Sequence, residues 1–116
     1  MLSLAYSKLL IQQQQMQTAL TILTPLKNNL PSHQAPDYYL ALAQVQRGLG
    51  HAGEAHLALA AHYRVKGQTK AVIEQLEQGL RVQPLDFYLK SKLEAQLQIQ
   101  QDLLEEEQKN EKKLGR

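Results

Sequence analysis

The stretch Leu59-Ala60-Ala61-His62-Tyr63-Arg64-Val65-Lys66-Gly67, followed after three residues by Ala71-Val72-Ile73-Glu74-Gln75-Leu76-Glu77-Gln78-Gly79-Leu80-Arg81-Val82-Gln83-Pro84, decides the fold. Both halves are rich in Leu, Ala, Gln and Glu, which are strong helix formers. Gly67 stops the first half, Thr69 stands where an N-cap belongs for the second, and Pro84 ends it. Helix, short turn, helix is the pattern of an antiparallel hairpin. The punctuation repeats on either side. Gly50 and Gly67 are 17 residues apart, Gly67 and Pro84 another 17, and Pro31 lies 36 before Gly67. Two helices in a unit of about 34 residues is the period of a known class of helical repeat.

Working outward, the breaks divide the chain into six helical segments. The first runs from about Leu2 to Gln14, with Leu2, Tyr6, Leu9 and Leu10 near one face. The second covers about Met16 to Asn29, with Ala19, Leu20, Ile22, Leu23 and Leu26 on its apolar side and a kink or late start expected at Pro25. A loop from Leu30 to Pro36 leads to the third, which carries Asp37 in its first turn and ends near Gly48 to Gly50. The fourth spans about Gly53 to Lys66 and the fifth Thr69 to about Val82. Asp86 caps the sixth, which carries Leu89, Leu93, Leu97, Leu103 and Leu104 toward Lys109. Gln12 to Gln15 is a polar bridge between the first two. The expected organisation is one all-α domain over residues 1–110 with a charged, disordered tail at 111–116.

The residues at these places resemble the tetratricopeptide repeat. Leu59, Ala60, Tyr63 and Gly67 fit its first helix; Val72, Leu76, Gly79 and Pro84 fit its second, with Val in place of the usual Ala. An overlapping unit carries Tyr39, Leu42, Ala43, Gly50, Ala55 and Leu59, and a degenerate one Ala19, Leu23, Leu26 and Pro31. Under this resemblance Ala43, Ala55, Ala60 and Gly79 let neighbouring backbones approach. The implied architecture is a short right-handed solenoid of antiparallel hairpins, six helices in all, with a long C-terminal helix. The run from His62 to Leu76, then Pro84-Leu85-Asp86-Phe87-Tyr88-Leu89 and Lys92-Leu93-Glu94, is similar to the C-terminal repeat region of bacterial periplasmic zinc metalloproteases. Those enzymes serve quality control of outer-membrane protein assembly. The resemblance implies a periplasmic accessory domain that recruits substrates or partners for an upstream peptidase domain. The His-Glu-x-x-His of the peptidase is absent from this sequence, so no proteolytic role comes with it. The alternative is a free-standing cytoplasmic adaptor or scaffold.

Composition narrows the function classes. Lys and Arg number 13 against 11 Asp and Glu, for a formal charge of +2. That balance is too small and too mixed to make nucleic acid the main partner. No apolar run reaches the ~18 residues of a membrane span. Cys is absent, which removes thiolate chemistry and fits periplasm or cytoplasm equally. The opening residues lack the basic region and cleavage site of a signal peptide. They read as a helix already under way, as expected of a segment of a longer chain.

No motif carries catalysis. His51 and His56 are five apart, a separation that turns them about 140° around a helix, whereas the zincin motif needs four. They read as surface histidines of a hairpin turn. His62 is expected to be the most buried His. Glu105-Glu106-Glu107 reads as a solvated run. There is no nucleophile elbow and no phosphate loop, so neither enzyme activity nor a metal or cofactor is expected. The expected role is binding a protein or peptide, with a homo-oligomer also open. The candidate concave surface is Asp37, Leu40, Gln44 and Arg47 in the third segment, then Glu54, Leu57, Ala61 and Arg64 in the fourth. Lys8 and Ile11 extend it. Arg47 and Arg64 fall at equivalent places and suit carboxylates or peptide carbonyls.

Overall fold

The computed structural model describes residues 2–113. Six α-helices account for most of them: α1 (Leu2–Gln12), α2 (Met16–Leu26), α3 (Ala35–Gly48), α4 (Ala52–Val65), α5 (Thr69–Leu80) and α6 (Phe87–Lys113). Two single turns of 3-10 helix, Lys27–Asn29 and Ser32–Gln34, join α2 to α3. No strand occurs among the described residues. Each helix packs on the next, and α1 also touches α3, as α4 touches α6.

Three of the connections use the same device. His51 N–H donates to the Gln46 carbonyl at 2.8 Å and Gly50 N–H to that of Arg47 at 3.0 Å. Gln68 to Tyr63 and Gly67 to Arg64 repeat the pair, both at 3.0 Å. Gln15 to Leu10 at 2.8 Å and Gln14 to Ile11 at 3.0 Å do so again. This is the Schellman closure, which satisfies the last carbonyls of a helix and needs a left-handed residue. Gly50 and Gly67 take that place at φ +81° and +71°, but in the first turn Gln14 takes it, at φ +59°. A Cβ in that region is strained by about 1 kcal/mol or more. Gln14→Gly is therefore expected to raise the stability by about 0.5–1 kcal/mol, while Gly67→Ala lowers it by a similar amount. Urea titration of the two variants reads both signs.

The core divides into two clusters. Leu4, Leu10, Ala19, Leu23, Tyr38, Ala41 and Val45 join α1, α2 and α3. Ala60, Val72, Leu76, Leu89 and Leu93 join α4, α5 and α6. Ala43, Ala55 and Ala58, all buried, accompany the close passage of α3 against α4. Gly79 permits an equally close approach. A Cβ there would stand 3.2 Å from the Cβ of His56 and 3.2 Å from a methyl of Leu93. Gly53 lies within α4 rather than at its start, buried under Leu89, whose methyl would meet a Cβ at 2.7 Å.

Several expectations need correction. In α1 the buried line is Leu4, Ser7 and Leu10, while Tyr6 and Leu9 are half exposed. Ser7 fits that line because its hydroxyl is satisfied by the Ser3 carbonyl at 2.9 Å. The side chain of Leu2 lies outside those described. Pro25 does not delay the start of α2, which begins at Met16; it sits in the last turn, and the chain tightens into 3-10 geometry just after it. Thr69 is not a cap. Gln68 precedes the helix without a capping bond, and Thr69 Oγ1 instead donates to Glu107 Oε2 at 3.1 Å. Glu107 is thus tied to α5 rather than simply solvated. Asp86 does cap α6, its Oδ1 accepting from Leu89 N–H at 3.0 Å. The helix runs past the expected tail boundary to Lys113, about 40 Å at 1.5 Å per residue. Residues 114–116 lie outside the described residues.

Candidate functional site

The candidate surface residues divide between two grooves. Glu54, Leu57, Ala61 and Arg64 follow one another at i, i+3, i+7 and i+10 along α4, so they share one side of it. They line a groove of about 200 Å³ whose far walls come from Tyr39, Leu42 and Gln46 of α3 and from Lys92 and Gln96 of α6. Its floor is low because Ala58 and Ala61 are small and buried. Tyr39, Leu42 and Leu57 are half-buried and give it an apolar wall. Arg64 reaches across toward α6, its Nη1 3.4 Å from Gln96 Oε1.

Leu40 and Gln44 line the second groove, of about 390 Å³, between α3 and α1. Lys8 and Ile11 face them as expected, and Lys8 Nζ meets Asp37 Oδ2 at 3.2 Å across one end. Arg47 shares the helical phase of Leu40 but lines neither groove. Arg47 and Arg64, expected at equivalent places, therefore do not line one groove. The reason is rotational. Leu40 and Leu42 are two residues apart, which is 200° around a helix. One side of α3 meets α1 and the other meets α4. The α3 residues that accompany Arg64 are Tyr39, Leu42 and Gln46, which the sequence reading missed. Their own i, i+3, i+7 spacing was the available signal.

Charge in the α4 groove is unbalanced. Lys27, Arg64 and Lys92 line it against the single carboxylate of Glu54. Three cations beside an apolar, small-floored trough suit an extended segment carrying acidic groups. Both Arg64 and Lys92 are exposed, so each can be reached without displacing the core.

Three of the four histidines are engaged in hydrogen bonds. His51 Nδ1 lies 2.7 Å from Gln46 Oε1, and His56 Nδ1 lies 2.9 Å from Gln75 Oε1. His62 is half-buried, 2.8 Å from the Pro36 carbonyl, with its ring edge-on to Tyr63 at 5.1 Å. His56 is half-buried as well, against Gln75 and Gly79 of α5. Among the described residues no three His, Asp or Glu side chains gather closely enough to hold a metal ion. No described helix is long and apolar enough to cross a membrane. Comparison with protein-family models, with curated proteins and with solved structures finds no match to this chain.

Proposed function

We propose that this chain is a protein-binding module, and that the groove over α4 holds an extended, acid-bearing segment of its partner. The observation that carries the reading is the convergence of Lys27, Arg64 and Lys92 on a trough floored by Ala58 and Ala61. Small residues let a peptide backbone lie close to α4, Leu57 and Leu42 offer it apolar contact, and the cations fix its acidic groups. The chemistry is recognition rather than catalysis.

Within that reading the six helices form a short tetratricopeptide-like solenoid. The Schellman turns at Gly50 and Gly67, spaced by 17 residues, and the close approach at Gly79 support it. The sequence likeness to the repeat region of periplasmic zinc metalloproteases supports a finer assignment: a C-terminal domain that recruits substrates or outer-membrane assembly components for an upstream peptidase. A His-Glu-x-x-His domain upstream in the complete gene tests that assignment, and a different neighbour there removes it.

Peptide display against the folded chain tests the binding role itself. Enriched sequences should be acidic, and Leu57→Asp should weaken their binding about tenfold or more, the equivalent of ~1.4 kcal/mol. Leu40→Asp, in the other groove, should leave binding unchanged. Failure to enrich any sequence, or equal loss from both variants, overturns the proposal.

A further inference from the structure

We infer that a second copy of this chain docks on the solvent side of α6, antiparallel, with Lys92 of each copy against Asp102 of the other. This contact shares Lys92 with the α4 groove but uses none of that groove's other lining residues. The helix packs on α5 and α4 through Leu89, Leu93 and Leu97, Leu104 lines a groove with Thr69 and Ala71, and Tyr88, Ala95 and Ile99 on its other side are exposed. That side is not uniformly polar. Tyr88 is 73% exposed and Ile99 63%, with exposed Ala95 between them.

The exposed side also has a seam. Tyr88, Lys92, Ala95, Ile99, Asp102 and Glu106 alternate spacings of four and three, which is the heptad of a helix pair. Charge decides the direction. A parallel pair would stack Lys92 on Lys92, Asp102 on Asp102 and Glu106 on Glu106, three like-charge layers. The antiparallel pair sets Lys92 against Asp102, Ala95 against Ile99, and Tyr88 against Glu106, each twice by symmetry. Large meets small at the centre, and an ion pair closes each side.

The groups involved are free to pair. Among the described residues Asp102 accepts from Gln98 Nε2 alone, at 3.0 Å on the same helix. Lys92 Nζ rests 5.8 Å from the centre of the Tyr88 ring, a contact that survives a turn toward a carboxylate. The seam from Tyr88 to Glu106 is about 27 Å long. A contact of that size belongs to the small, reversible class of interfaces.

The chain contains no Cys, so paired cysteines report the register without background. Ala95→Cys and Ile99→Cys chains, mixed and mildly oxidised, should give mainly the mixed disulfide, with few same-variant pairs. Sedimentation equilibrium of the unmodified chain should move from 13.1 kDa toward twice that mass as concentration rises. The series should run from about 10 to 500 µM, within the micromolar-to-millimolar span of weak association. Lys92→Glu should weaken self-association about tenfold, and adding Asp102→Lys should restore it. A chain that stays monomeric at the top of that range overturns the inference. So do same-variant disulfides as abundant as mixed ones, or a double variant no tighter than the single.

Discussion

Leu93→Ala is expected to lower the stability of the folded chain by about 3 kcal/mol and its Tm by roughly 10–20 °C. Leu93 is 0% exposed and belongs to the cluster with Ala60, Val72, Leu76 and Leu89. Its methyls occupy the space that Gly79 leaves open, 3.2 and 3.3 Å from where a Cβ would stand. Glycine has no side chain to swing into the vacancy, and Val72 is β-branched with little rotamer freedom. The cavity therefore stays largely unfilled, which sets the cost near the middle of the range for buried leucines. Domains of this size hold about 5–15 kcal/mol in total, so the loss is a large share. Urea unfolding should show a lower midpoint with an unchanged slope. A loss under about 1 kcal/mol, the size expected for a half-exposed position, would contradict the packing described for α6.

Tyr38→Ala is expected to cost about 3–5 kcal/mol, and Tyr38→Phe only about 1 kcal/mol. The ring is 1% exposed in the α1–α3 cluster and meets Tyr39 edge-on at 5.2 Å. Its hydroxyl donates to the Leu23 carbonyl at 2.9 Å, a buried bond in the last turn of α2. Helix-terminal carbonyls need partners from outside the helix, and here the phenol supplies one. The phenylalanine variant keeps the ring and removes only that bond, so the difference between the two variants separates packing from hydrogen bonding. Burial pushes the Tyr38 pKa above its usual 10, and Tyr39 beside it adds to the rise. The raised value means that the folded state favours the protonated phenol. Its contribution is therefore complete below pH 10 and is lost as the pH climbs through the folded-state value. Tyr38→Phe should flatten that alkaline loss, as followed by denaturant midpoints between pH 8 and pH 11.

The six helices were readable because the chain marks their ends with residues whose backbone preferences are strong. Gly50 and Gly67 sit at left-handed turn positions, and Asp86 accepts the bond expected of a cap. Departures from the reading occurred where a distant residue settled the matter. Thr69 looked like a cap, but Glu107, 38 positions on, takes its hydroxyl. The face expected for α1 held Tyr6 and Leu9, yet the core line passes through Ser7, whose hydroxyl folds back on the Ser3 carbonyl. The site divides in the same way. Along α4 the row from Glu54 to Arg64 was correct as a helical face, since spacing within one helix is a local property. Along α3 the chosen row faced the wrong neighbour for Arg64. Spacing identifies the sides of a helix, but which side meets α1 and which meets α4 depends on the packing of the whole bundle. Lys92 and Gln96 were missed for a related reason, because they reach the groove from α6, 28 or more residues beyond Arg64.

The two-part core has a kinetic meaning as well. Each part is closed by helices that follow one another along the chain, α1 to α3 and α4 to α6. No long loop has to be drawn together before apolar contact begins to stabilise either part. Such low contact order places a chain among the fast folders. Each half holds its own local contacts, and the alanine-lined passage of α3 against α4 joins the two.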